Sequence, residues 1–188
     1  MATTSEDKVR EIKTMLPIGY ELLTMREAEF YGDIVEDGST IEENALIKAR
    51  FIHELLSCEV FGEDTGLFVE YLNGEPGINT ARYAGDHRNN DENINLLLSN
   101  LALSEHRNAH FKTVIAYIDI EGKEYLFTGR VEGEIAIIRM GEGGFGYDPI
   151  FIPLGYRKSF AELGSEVKNQ ISHRSRAFKD FIEFLQLK

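Results

Sequence analysis

Apolar residues recur at two different spacings along this chain, and their alternation restricts the fold more than any other property. In "STIEENALIKARFIHELLS", Ile41, Ala45, Ala49, Ile52 and Leu56 share one stripe of a 3.6-residue period, which predicts a helix over 41–56. Ser39 or Thr40 is placed to cap it, with Glu42 or Glu43 closing a capping box. "CEVF" and "LFVEYL" follow as strand-like runs on either side of a predicted acidic turn, Glu63-Asp64. Helical spacing returns at Ile94, Leu97, Leu98 and Leu101. Two extended segments come next, "HFKTVIAYIDI" and "KEYLFTGRVEGEIAII", and the "EGK" between them predicts an antiparallel hairpin. A short helix over 7–16 opens the chain. A helix from about Ser172, with Phe178, Phe181, Ile182 and Leu185 on one face, closes it. Helices interleaved with strands predict a mixed α/β fold. With no repeat or linker, residues 1–188 are expected to form one domain, with room for a second lobe.

The formal charge of −12 argues against nonspecific binding to nucleic acid polymers, which needs a basic footprint. It does not exclude a small phosphorylated ligand. Such a ligand needs only a few local cations, or a divalent ion held by carboxylates. No apolar run reaches the ~20 residues that cross a bilayer, so no membrane partner is expected. "MATTSEDKVREIK" has neither a signal-peptide core nor a basic transit pattern. The single cysteine, Cys58, reads as a small core residue and fits a reducing, cytoplasmic setting.

Three stretches carry residue types suited to chemistry. Glu43 lies nearly opposite the apolar stripe of its helix, which suits a cap or a solvated side chain. Lys48 and Asn44 lie on or beside the stripe, where a lysine either snorkels or reaches a phosphate in a cleft. Glu63-Asp64 is either a polar turn or a source of the hard oxygen ligands that Mg²⁺ takes. In "GEGGFGYDP", Phe145 stands among glycines 141, 143, 144 and 146, either stacking on a flat ring or filling a tight turn. Asp148, before Pro149, accepts hydrogen bonds or starts a turn. In "KNQISHRSRAF", Ser172 reads as an N-cap with His173 and Arg174 in the first turn. Cations are disfavoured there unless an anion is near. With Lys168 they form a group of donors suited to carbonyl or phosphate oxygens.

Taken in order, "TIEENALIKAR", "GEDTGLFVEYLNGEPG", "ARYAG", "GEGGFGYDPIF" and "KNQISHR" resemble the inosine triphosphate pyrophosphatase (ITPase-like) family over nearly the whole chain. The resemblance implies a long, bent mixed sheet dividing two lobes, with a purine nucleoside triphosphate in the cleft between them and a homodimer as the assembly. The implied reaction is Mg²⁺-dependent hydrolysis of noncanonical purine triphosphates (ITP, dITP, XTP) to the monophosphate and pyrophosphate. By motif, Glu43, Glu63 and Asp64 would hold the metal, and Asp64 would activate the attacking water. Lys48 and Thr65 would contact the nucleotide. Phe145 would stack on the base in a pocket lined by Gly146, Tyr147 and Asp148. Lys168, His173 and Arg174 would meet the base edge and nearby phosphate oxygens. The family's N-terminal "ATxNxGK" phosphate loop is altered here. Ala2, Thr3 and Lys8 are kept, Ser5 stands for the Asn and Asp7 for the Gly, and of the preceding strand only Met1 is present. By the same resemblance, Thr3, Ser5 and Lys8 would be the phosphate contacts. The altered loop leaves open a nucleotide-binding homologue with reduced or lost catalysis.

Overall fold

The computed structural model describes residues 1–3 and 5–188. Among the described residues the chain is mixed α/β, with five helices of ten or more residues: α1 (Glu6–Met15), α2 (Ile41–Leu56), α3 (Asn90–Asn100), α4 (Phe160–Ile171) and α5 (His173–Gln186). The strands are β1 (Val60–Val69), β2 (Pro76–Gly77), β3 (Asn108–Ile118), β4 (Glu124–Ile135) and β5 (Phe151–Pro153), in the sheet order β2-β1-β3-β4-β5. β1 pairs antiparallel with β2 (Leu67 opposite Gly77) and β4 antiparallel with β5 (Gly133 opposite Pro153). Among the described residues, no helix is long and apolar enough to cross a membrane.

The chain divides into two compact units. The first comprises Met1–Asp64, Thr113–Gly129 and Arg174–Lys188. Its core gathers Ile12, Phe61, Ile115, Tyr117, Phe178, Phe181 and Ile182. The predicted face of α5 is buried here: Phe181 lies 5.3 Å from Tyr117 and 5.4 Å from Phe127, ring to ring. The second unit comprises Thr65–Lys112 and Arg130–His173. Its core is built on Leu67, Ile94, Leu97, Leu101, Phe111, Val131, Phe151 and Phe160.

Two local expectations change. Glu63-Asp64 is not a turn: β1 runs unbroken through both residues and is buried along most of its length. Each carboxylate meets a cation inside the protein, so the strand need not break to expose it. The segment after β5, unassigned by periodicity, is α4. Ser159 accepts from the Glu162 amide while the Glu162 carboxylate accepts from the Ser159 amide, a complete capping box. Gly164, at φ +77, interrupts the helix and with it the apolar period. α2 has the predicted span with Thr40 as its cap. Glu43, however, reaches past the cap to Ser39, accepting from its amide and hydroxyl at 2.7 Å each.

Candidate active site

The first unit carries a group of ionised side chains whose placement begins at one glycine. A Cβ on Gly62 would lie 2.4 Å from the Ala45 carbonyl oxygen and 3.0 Å from the Ala49 amide nitrogen. Only glycine lets the backbones of α2 and β1 come this close. Lys48 lies on the turn of α2 between those two alanines, and Asp64 lies two residues along β1, on the same strand face as Gly62. Lys48 Nζ donates to Asp64 Oδ1 at 2.7 Å and to Glu36 Oε2 at 2.9 Å. Burial opposes the charge on Lys48, which is 6% exposed, but Asp64 and Glu36 outweigh it and raise its pKa. Burial drives the Asp64 carboxyl above its ordinary range, against the pull of Lys48 and Lys8.

Behind this pair stands a second one. Glu63 is fully buried, and its two oxygens face different cations: Lys8 Nζ at 2.6 Å from Oε2, and Arg174 Nε and Nη2 at 3.2 and 3.1 Å from Oε1. Arg174 Nη1 also donates to Glu11 Oε2. Burial of the guanidinium disfavours its charge, but Glu63 and Glu11 overcome this and hold its pKa above the usual arginine range. The anion required by a cation in the first turn of α5 is therefore a pair of carboxylates. Lys8 and Glu11, three residues apart on α1, present one face to this group. Ser5 caps α1, its hydroxyl accepting from the Lys8 amide, and the Ser5 amide donates to Thr3 Oγ1 at 3.3 Å. Ala2 makes a single parallel bridge to Gly62.

Glu43 spends its carboxylate on Ser39, and those hydrogen bonds lower its pKa. Asn44 is buried and accepts the Gly38 amide at 2.9 Å. Among the described residues, no group of three or more His, Cys, Asp or Glu side chains gathers in a way that could hold a metal ion. Cys58 is half-buried.

The second unit carries an aromatic group of its own. Gly144 has φ +74, and a Cβ there would lie 2.1 Å from Asp148 Oδ2. Glycine thus lets the loop fold over this carboxylate. Asp148 Oδ2 accepts from the Phe145 amide at 2.9 Å and from Lys168 Nζ at 2.7 Å. The same ammonium stands 4.4 Å from the centre of the Phe145 ring. Asp148 therefore fixes both the aromatic and the cation beside it. Gly146 follows at φ +59. Tyr147 is buried, with its hydroxyl donating to the Thr80 carbonyl at 2.9 Å. Thr65 is half-buried on β1. His173 is buried, its imidazole stacked on Phe111 with centroids 4.5 Å apart.

The structure thus joins Lys48 to Asp64, Glu63 to Lys8 and Arg174, and Lys168 to Asp148 and Phe145. Glu36 and Glu11 were not among the expected site residues. Glu11 could have been found as the residue one helical turn beyond Lys8. Glu36 lies in a segment with no period to read.

Residues 1–184 match the Ham1 family, whose curated relatives carry the names of nucleotide hydrolases. The chain belongs to that family, the ITPase-like one its motifs resemble. Among its relatives is the dITP/XTP pyrophosphatase of Christiangramia forsetii, 47% identical over 98% of this chain and 96% of the relative. The dITP/XTP pyrophosphatase of Flavobacterium johnsoniae is 45% identical over 98% of this chain and 95% of the relative. Of solved structures, the Staphylococcus aureus Ham1 protein superposes with a TM-score of 0.89 at 40% identity, covering 98% of this chain and 96% of its own. A HAM1 protein from Coxiella burnetii gives 0.90 at 34% identity, covering 100% and 97%.

Proposed function

We propose that this protein hydrolyses deaminated purine nucleoside triphosphates, ITP, dITP and XTP, between the α and β phosphates, releasing the monophosphate and pyrophosphate. Its relatives bear the name dITP/XTP pyrophosphatase. The observation that carries the chemistry is the convergence of Asp64 and Glu36 on one buried ammonium. Asp64 would supply one carboxylate oxygen to a Mg²⁺ ion whose other ligands are phosphate oxygens and waters, with Lys48 beside it. When bound there, Mg²⁺ would neutralise phosphate charge and lower the pKa of an attacking water.

Asp64 is our choice for the general base, orienting the water and taking its proton. Lys48 and Lys8 supply cations to the triphosphate, with Thr3, Ser5 and Thr65 as neutral donors. Glu63, wholly buried, keeps Lys8 and Arg174 in place, and Glu43 keeps the start of α2 in place. Phe145 stacks on the base, in a loop held by Asp148 with Gly146 and Tyr147. Lys168, His173 and Arg174 offer donors to a 6-oxo purine. Adenine presents an amino group there, which cannot accept from these donors, so a 6-oxo purine gains hydrogen bonds that adenine lacks.

A panel of ITP, dITP, XTP, ATP, GTP and CTP, assayed with Mg²⁺ for pyrophosphate and monophosphate, tests the reading. The deaminated purines should be turned over preferentially, and Asp64→Asn should abolish turnover while still binding ITP by calorimetry. Release of single phosphates, equal use of ATP, or an unimpaired Asp64→Asn would overturn it. We further propose a cytoplasmic homodimer as the working form; a mass of 21.3 kDa by light scattering would remove the dimer.

A further inference from the structure

His173 and Phe111 form a nearly parallel pair, with centroids 4.5 Å apart and planes 15° apart. Phe111 meets Phe151 at 4.7 Å, and Phe151 meets Phe160 at 5.3 Å. The Lys168 ammonium stands 5.9 Å from the Phe160 ring centre. One aromatic row inside the second unit therefore runs from His173 to Lys168, and both ends are residues assigned above to the purine base. Filling the core at position 111 would need only apolar bulk. A parallel stack needs a flat ring, because it selects the rotation of the imidazole about its Cβ–Cγ bond. That torsion is intrinsically broad and nearly two-fold, so the neighbour decides it. The direction of a ring N–H follows from the ring plane, and a hydrogen bond weakens steeply as that direction is lost.

We propose that Phe111 is a positioning residue for base selection: it sets the plane of His173 and so aims the imidazole donor at the 6-position of the purine. The inference rests on the base-reading role given to His173 above. Phe111 itself touches no substrate in this scheme and acts through the histidine.

The test is the ratio of kcat/KM for ITP to kcat/KM for ATP in the native protein, Phe111→Leu, His173→Ala and the double variant. A loss of folded molecules scales both substrates equally and leaves the ratio unmoved. An aromatic pair of this kind is worth a factor of roughly 2 to 12 in an equilibrium. Phe111→Leu should therefore lower the ratio about five-fold, and should lower it no further once His173 is alanine. A lowered ratio in His173→Ala with an unchanged ratio in Phe111→Leu overturns the inference and leaves the proposed function standing. Losses that multiply in the double variant overturn it as well, since Phe111 would then act independently of the histidine. An unchanged ratio in His173→Ala removes the base-reading role, and the inference with it. Phe111→Met, which keeps unbranched bulk in the core, replaces the leucine variant should that one not fold.

Discussion

Glu63→Gln separates two roles that one acidic residue can play. As a metal ligand, Glu63 would matter to the ion and little to the metal-free protein. As the counter-charge of Lys8 and Arg174, it would matter to folding whether or not an ion is present. The side chain is wholly buried, and both cations lie within 3.2 Å of it. Glutamine keeps the shape and removes the charge, so two carboxylates facing two cations become one. Removing one partner of a buried ion pair costs about 3–5 kcal/mol. Glu11 still faces Arg174, and the Lys8 side chain, 18% exposed, can turn towards water. The cost should therefore fall at the lower end, about 3 kcal/mol. At about 2–4 °C per kcal/mol for a chain of this length, the midpoint of thermal unfolding should drop by about 6–12 °C. The assay is calorimetric unfolding of both proteins in chelator-treated buffer. A variant within about 0.5 kcal/mol of the native protein there, yet requiring more Mg²⁺ for turnover, would refute the counter-charge reasoning.

Two further outcomes follow from the same group. Gly62→Ala should destabilise by about 2–3 kcal/mol in urea unfolding, because the new methyl meets two backbone atoms that cannot rotate away; a near-neutral effect would mean that α2 can shift off β1 cheaply. In the metal-free protein, burial raises the Asp64 carboxyl above the ordinary aspartate range, so carbon NMR in chelator-treated buffer should show it titrating at higher pH than a free aspartate; titration at or below the free range would mean that Lys48 and Lys8 outweigh burial.

The parts of the fold legible in the sequence are those governed by near neighbours. α2 has its predicted span because a cap and an apolar stripe are both local. The β3–β4 hairpin was readable from its short connection, and Tyr125 and Phe127 alternate with exposed positions as expected. Alternation does not show β1 as one strand, because a strand buried on both faces has none and an acidic pair in it looks like its end. Periodicity does not show α4, because Gly164 interrupts it, although the Ser159–Glu162 cap is a local signal. For the site, residue types and motif order named Lys48, Asp64, Phe145, Asp148 and Lys168. Their partners were less accessible. No local rule ties Glu36 to Lys48 or Phe111 to His173, because those contacts depend on where separate elements come to lie.

The Arg174 guanidinium also bears on how the protein comes into being. Its partners are distant along the chain: Glu63 is 111 residues away and Glu11 is 163. Closing loops of that size is entropically expensive and is rewarded only when the final contacts form. An isolated α5 would begin with a cation at the wrong end of its dipole and no anion to face. During synthesis, Lys8 and Glu63 emerge long before the residue that completes their cluster. Enzymatic activity recovered on refolding therefore reports the last stage of assembly, not the gain of secondary structure that precedes it.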